Sequence, residues 1–234
     1  MSTGPAGHSA RVEVRVVEEL LAVPGPIVSV YASVAAGPDP AIVGAWAAEA
    51  LDGNDLGWFD AGAVTAAVAE AIEDEAAGVA LFLRPERQPV SVPIAGPPST
   101  ELATFGDLAY VAPLVAAADP SSDQDALASF RSAASQGAIA EGVTETIAAL
   151  ASARVGLLLV HDEPADERRV VIGTGGTAIA LDRGRLDPPD GPTWVVRLVD
   201  GAIRSALTMG GAVRIVTGRD RHAPAEGIGA TLVT

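Results

Sequence analysis

The chain contains no cysteine. Disulfide bracing and thiol chemistry are therefore excluded, and a zinc site would lack its usual sulfur ligands. Lysine is also missing, so all fifteen basic residues are arginine, which reads as a bias of the coding sequence and not as a device. Aromatic residues are scarce: four Phe, two Tyr and three Trp in 234 residues. With 49% of the chain hydrophobic, a core is affordable but must be filled chiefly by Ala, Val, Leu and Ile. No apolar run reaches the roughly 20 residues of a membrane span. The opening stretch, MSTGPAGHSARVEV, has no apolar core of signal-peptide length. The expectation is a soluble cytoplasmic protein without a membrane partner, of one large or two small domains.

What is abundant is negative charge. The net charge is −15, and it is uneven: residues 1–120 hold 16 acidic and 4 basic residues (−12), residues 121–234 hold 14 and 11 (−3). Such a surface repels phosphate backbones, which disfavours DNA and broad nucleic-acid binding. A local arginine patch in the second half could still meet RNA.

The stretch from Gly137 to Asp166 organises the rest. Ile139, Val143, Ile147 and Leu150 recur at helical spacing, and the helix stops near Arg154. Val155 to Val160 is a solid apolar run, too short for a helix and suited to a strand covered on both faces. His161 to Glu167, HDEPADE, is a hydrophilic surface loop.

Around this unit, Val12–Val23 reads as a helix or a strand followed by a helix, ended by Pro24-Gly25-Pro26. Ile27–Val34 alternates as a strand. Ala41–Leu51 is helical with Ile42, Trp46 and Ala50 on one side, and Asp60 caps a helix carrying Val64, Val68 and Ile72. Val79–Leu83 is a buried strand, and Val90–Ile94 is an edge strand by virtue of Pro93. Asp119–Asp125 is the best linker. Beyond it come a helix at Ala126–Ser135 and strands at Arg168–Ile172 and Thr177–Leu181. A helix at Trp194–Met209 and a strand at Ala212–Thr217 follow, and Ile228–Val233 closes the sheet.

Three groups could carry chemistry. Gly173-Thr174-Gly175-Gly176 follows a strand and could let backbone N–H groups approach a phosphate, but it matches neither dinucleotide nor Walker spacing and no lysine exists to assist; its plain reading is a hairpin turn. His161-Asp162-Glu163 stands at a strand end, where α/β proteins often place sites. Neighbours along a strand point to opposite sides, however, which does not favour converging metal ligands. Arg214, Arg219 and Arg221 form the one notable basic cluster, a candidate RNA or partner contact. No nucleophile elbow, zincin helix or other catalytic signature occurs, so no cofactor, metal or catalytic residue is assigned.

The chain resembles a known group: the bacterial homologues of the archaeal and eukaryotic peptide-chain release factor and of Pelota, which include the Balon-type ribosome hibernation factors. The resemblance lies in GPIVSVYASV (Gly25–Val34), similar to the family's first strand, and LAYVAPLVA (Leu108–Ala116), similar to the end of its first domain. It continues in Gly142–Glu167, similar to the start of its third domain, and in EGIGATL (Glu226–Leu232), similar to that domain's final strand. The resemblance implies three domains, of which the middle one has no room here. The Gly-Gly-Gln motif of peptidyl-tRNA hydrolysis is missing, the nearest sequences being Gly175-Gly176-Thr177 and Gly210-Gly211-Ala212. Asn54-Asp55 is not the codon-reading Asn-Ile-Lys-Ser motif. The third domain of the family resembles ribosomal proteins that bind kinked RNA and serves in release factors mainly as a protein-docking module.

The resulting expectation is two small α/β domains with mixed sheets flanked by helices, at residues 1–120 and 121–234. They would form a non-enzymatic, translation-related binding protein whose partner is the ribosome or a translation GTPase. Two alternatives stay open: a small enzyme or ligand-binding protein with a pocket near Gly173 and His161, and a homo-oligomeric scaffold.

Overall fold

A computed structural model describes residues 9–94, 96, 98, 101–118, 123–186, 191–216 and 223–233. The protein is α/β, with three separate sheets among the described residues. It divides into two compact units, one formed by Gly25–Ala117 and the other by Met1–Pro24 together with Ala118–Thr234. The composite unit thus includes the first helix, α1 (Ser9–Ala22), which packs on a late helix, α7 (Leu198–Thr208). The expected division at residue 120 puts α1 with the first domain. Its buried side chains Val17, Leu20 and Leu21 tie it instead to the other end of the chain, a long-range pairing that no local pattern announces.

In the 25–117 unit, β1 (Ile27–Ser33) is followed by α2 (Pro40–Ala50), α3 (Ala61–Glu73), β2 (Gly78–Leu83), β3 (Val90–Ile94), β4 (Leu102–Gly106) and α4 (Ala112–Ala118). The sheet order is β3-β2-β1-β4, and every pairing in it is antiparallel. Pro93, which cannot donate to a ladder, lies on β3 at the sheet edge, as its chemistry requires. One face of the sheet, with Val28, Val30, Ala32, Val79, Leu81 and Leu83, is covered by α2 and α3. On the opposite face Tyr31 meets Phe82 and Tyr110 edge-on, with ring centroids 6.0 and 5.8 Å away. Its hydroxyl donates to the Tyr110 carbonyl at 2.6 Å, and Ser29 Oγ accepts from Tyr110 N at 3.1 Å. The few aromatics therefore do concentrated work here.

Asp39 and Asp60 open α2 and α3 by accepting from Ala41 N and Gly62 N at 2.9 and 2.8 Å. The inward side of α2 differs from the expected Ile42–Trp46–Ala50 line. Gly44 and Ala47 are buried, Ile42 is 67% exposed, and Ala50 is exposed. The reason is the close approach of α3: a Cβ on Gly44 would meet the Ala61 carbonyl at 2.9 Å and would also collide with Thr65 Oγ1. Only the smallest residues fit such a crossing.

In the composite unit, α1 is joined by α5 (Asp123–Ser135), β5 (Ile139–Glu141), α6 (Val143–Ala151), β6 (Val155–Val160), β7 (Arg169–Ile172), β8 (Ile179–Ala180), β9 (Trp194–Arg197), α7, β10 (Ala212–Ile215) and β11 (Ile228–Leu232). One sheet, β10-β6-β11-β5, mixes a parallel pair (β10 with β6) with antiparallel ones. The other, β8-β7-β9, is antiparallel. Helix α5 lays Ala126, Leu127 and Phe130 over Leu159 and Val216. Helix α7 contacts strands of both sheets and is buried along Leu198–Ala206.

Three expectations change here. Ile139 is not on the helix but on β5, because Gly142 takes φ 80° and bars a helix from starting before Val143. The stretch Trp194–Met209 splits into a strand and a helix: Val195 and Val196, β-branched and stiff at χ1, pair with Val171 and Val170 of β7. Finally, β11 does not close its sheet but runs between β6 and β5, since short β5 adds outside it. Among the described residues no helix is long and apolar enough to cross a membrane.

Candidate functional site

Where β6 ends, the chain enters the HDEPADE loop and then returns into β7. Two arginines fix this loop. Arg168 chelates the Asp166 carboxylate, with Nε at 2.9 Å from both oxygens and Nη2 at 2.6 Å from Oδ2, and donates through Nη1 to the Glu226 carbonyl at 2.8 Å. Its guanidinium hydrogen bonds hold the Asp166 carboxyl below the ordinary carboxylate range, against a smaller opposing effect of burial. The same bonds raise the pKa of Arg168 itself. Arg197 donates to Asp162 Oδ1 at 3.0 Å, to the Glu163 carbonyl at 3.1 Å and to Asp200 Oδ2 at 3.2 Å. Its side chain is 13% exposed, against 9% for Asp162 and 3% for Asp200. These charges are withdrawn from solvent and spent on one another, and that fixes the loop's shape.

The opposite wall comes from the turn before β11. Glu226 sits at φ 56°, a costly conformation for a residue with a Cβ. It accepts from Val143 N through Oε2 at 2.8 Å, capping α6, whose own N-cap is the side-chain-less Gly142. A carboxylate at a helix N-terminus is favoured by the helix dipole as well. Glu141 Oε1 in return accepts from Ala225 N at 2.9 Å, so each of two glutamates from different elements holds a backbone N–H close to the other in sequence.

Between these walls is a concavity of about 510 Å³ lined by His161, Glu163, Ala165, Asp166, Glu167, Arg168, Glu226 and Gly227. The His161 backbone N–H donates to the Gly227 carbonyl at 2.8 Å. Its ring Nδ1 lies 2.9 Å from the Val216 carbonyl. Because a carbonyl can only accept, Nδ1 carries the proton of that bond, and Nε2 is the acceptor position of the neutral ring. Among the described residues, no group of three or more His, Asp or Glu is placed to hold a metal ion. The site therefore offers fixed carboxylate and imidazole hydrogen-bonding groups, with exposed Glu163 and Glu167 at its rim.

His161 and Asp162 thus both belong to this corner, but they point to different partners, as expected of neighbours at a strand end. Gly173, Gly175 and Gly176 do not join them: they follow β7 where the loop precedes it, and none lines the concavity. Their turn is closed against α7. Arg204 Nη2 and Nη1 donate to the carbonyls of Thr174 and Gly175 at 3.1 and 3.3 Å, and Ser205 Oγ donates to the Gly176 carbonyl at 2.6 Å. A Cβ on Gly176 would collide with Thr208. The glycines serve close packing here. Arg204 also donates to the Leu21 carbonyl at the end of α1, at 3.0 Å. Burial lowers its pKa from the ordinary arginine value, while three carbonyls accept its hydrogen bonds.

Arg214 lies on β10 in register with Leu159, on the sheet face that α5 covers, and its Nε is shielded from solvent. Arg219 and Arg221 lie outside the described residues. Sequence reasoning passed over Arg168, Arg197, Arg204 and Glu226. A signal existed for one of them: Arg204 stands one turn after Asp200 in a largely apolar helix, a spacing that marks buried, partnered charge.

No protein-family model matches the chain, and no curated protein matches it. Among solved structures it is similar to an archaeal translation termination factor, aRF1, at 12% identity and a TM-score of 0.30, over 97% of this chain and 98% of that one.

Proposed function

We propose that the protein is a non-enzymatic, translation-related binding protein that docks on the ribosome or on a translation GTPase through its composite unit. The observation that carries this reading is the HDEPADE loop. It is a charged surface whose shape is set in advance by Arg168, Arg197 and Glu226, so a partner would meet it without an ordering cost. Preset geometry of this kind suits docking, and the loop falls in the stretch that resembles the third, protein-docking domain of the release-factor family. The other resembling stretches are consistent with the same reading: Gly25–Val34 contains β1, and Glu226–Leu232 leads through β11.

Co-sedimentation with ribosomes at low and high salt tests the proposal, with a purified translation GTPase as a second bait. Glu163→Arg with Glu167→Arg, both at exposed positions, should abolish binding to whichever bait is retained while leaving the fold intact. Arg219→Ala with Arg221→Ala should lower a salt-sensitive RNA component. Retention on neither bait at either salt overturns the reading. A second reading rests on the concavity beside His161, whose size suits a small polar ligand. Stabilisation by such a ligand, lost in His161→Ala and unaffected by the glutamate pair, would favour it.

A further inference from the structure

Helix α2 is apolar nearly all the way round, since Glu49 is the one charge among its eleven residues. Helices of that composition are ordinarily buried, yet the 25–117 unit covers only part of this one. Gly44 and Ala47 are buried and Val43 and Trp46 half-buried, while Ala41, Ile42, Ala45 and Ala50 are exposed. Ile42, at 67%, is the most exposed large apolar side chain among the described residues. It stands one turn before Trp46 and three residues before Ala45, so the three share a side of the helix. The stretch of chain that holds this strip carries charge of one sign. From Ala35 to Leu83 there are nine carboxylates and no basic residue, and exposed Asp39, Glu49, Asp52 and Asp55 stand near the two ends of α2.

We propose that this face of α2 is a docking site for a basic amphipathic protein segment. The apolar side chains of that segment would cover Ile42, Ala45 and Trp46, and its Lys or Arg residues would meet the flanking carboxylates. Charge decides the occupant. A second copy pairing face to face would bring two sets of these carboxylates together with no cation from residues 35–83 to offset them, and a phosphate backbone would be repelled outright. The site goes beyond the translation reading and holds with or without ribosome binding.

The full chain is titrated with a helical Leu/Lys peptide of about 18 residues and with a Leu/Glu peptide of the same pattern. Calorimetry and tryptophan fluorescence report binding, and sedimentation velocity reports self-association. The expected result is binding of the Leu/Lys peptide alone, weakening as salt rises. Ile42→Asp should reduce the affinity by about tenfold or more even though it adds a negative charge, and Ala45→Glu should act in the same direction. Simple attraction of a polycation predicts the reverse, so equal or tighter binding by these variants overturns the proposal. Failure of the Leu/Lys peptide to bind, or equal binding of the Leu/Glu peptide, overturns it too. So does a dimer of the wild-type chain that Ile42→Asp turns into a monomer.

Discussion

The two units build their cores from different materials. The 25–117 unit carries twelve acidic and two basic residues, a net −10, yet its interior is aliphatic, with Tyr31, Phe82 and Tyr110 as its aromatic centre. The composite unit carries less net charge but buries more of it. Asp200 and Arg204 lie inside on α7, at 2% and 3% exposure, and Arg197 joins the first of them to the HDEPADE loop. A core of hydrocarbon is indifferent to which apolar neighbours it has, within volume limits. Buried charges are not indifferent, because each must find a particular partner or be left without one. The composite unit thereby ties α1, the Gly173–Gly176 turn and the HDEPADE loop to a single helix.

The largest effect that sharpens this contrast is expected from Arg204→Met. It removes the guanidinium donor from the carbonyls of Leu21, Thr174 and Gly175, of which Gly175 keeps the Ala178 N–H at 3.2 Å, and should cost about 3–5 kcal/mol. Urea unfolding followed by Trp194 fluorescence, with Trp46 and Trp58 replaced by Phe, should show the composite unit melting early. A loss below 1 kcal/mol would mean the arginine is incidental. Next come two glycine substitutions that compare the units directly. Gly201→Ala would set a Cβ 2.6 Å from Val170 Cγ2, and Gly44→Ala meets the α3 backbone at Ala61. Ala is worth about 1 kcal/mol more than Gly in a helix interior, so a stabilised variant would show that the neighbours can yield. Net destabilisation of about 1–3 kcal/mol is expected for each, measured as a change in denaturation midpoint.

Tyr31→Phe removes one hydrogen bond from the aromatic centre of the other unit and should cost about 1–2 kcal/mol, with the aromatic packing itself retained. The smallest effect belongs to Asp166. Its carboxyl is held below the ordinary range by Arg168, so its contribution to stability is fully present above the unfolded value near pH 4 and is lost as pH falls through the lower folded value. Asp166→Asn should remove that dependence, making the variant's stability flatter than wild type below about pH 4. The difference at neutral pH should stay within about 1 kcal/mol, because Arg168 is 40% exposed and solvent screens the pair. Parallel curves in acid unfolding would refute a structural role for the pair.

Most elements were legible wherever the apolar period was unambiguous and the punctuation strong. Asp39 and Asp60 mark helix starts, Pro93 marks an edge strand, and the run Val155–Val160 reads as an inner strand. The misreadings share a cause. Trp194–Arg197 fits a helical period as well as a strand, and its partner β7 decided between them. Ile42 and Gly44 lie on the same short helix, and only the approach of α3 made the glycine the inward residue. Of the candidate site, the sequence singles out His161 and Asp162 by their place at a strand end, whereas Arg168, Arg197 and Glu226 come together from separate elements.

By itself, then, the sequence determined the class of fold, the aliphatic character of the interior and the acidic surface, because composition and short-range periodicity act over a few residues. It also determined that thiol and lysine chemistry have no place here. Tertiary structure alone decided that α1 joins the far end of the chain, that the Gly173–Gly176 turn is bound to α7, and that Glu226 caps α6. Each of these is a contact between residues far apart in sequence, satisfied by geometry that the intervening chain does not encode locally.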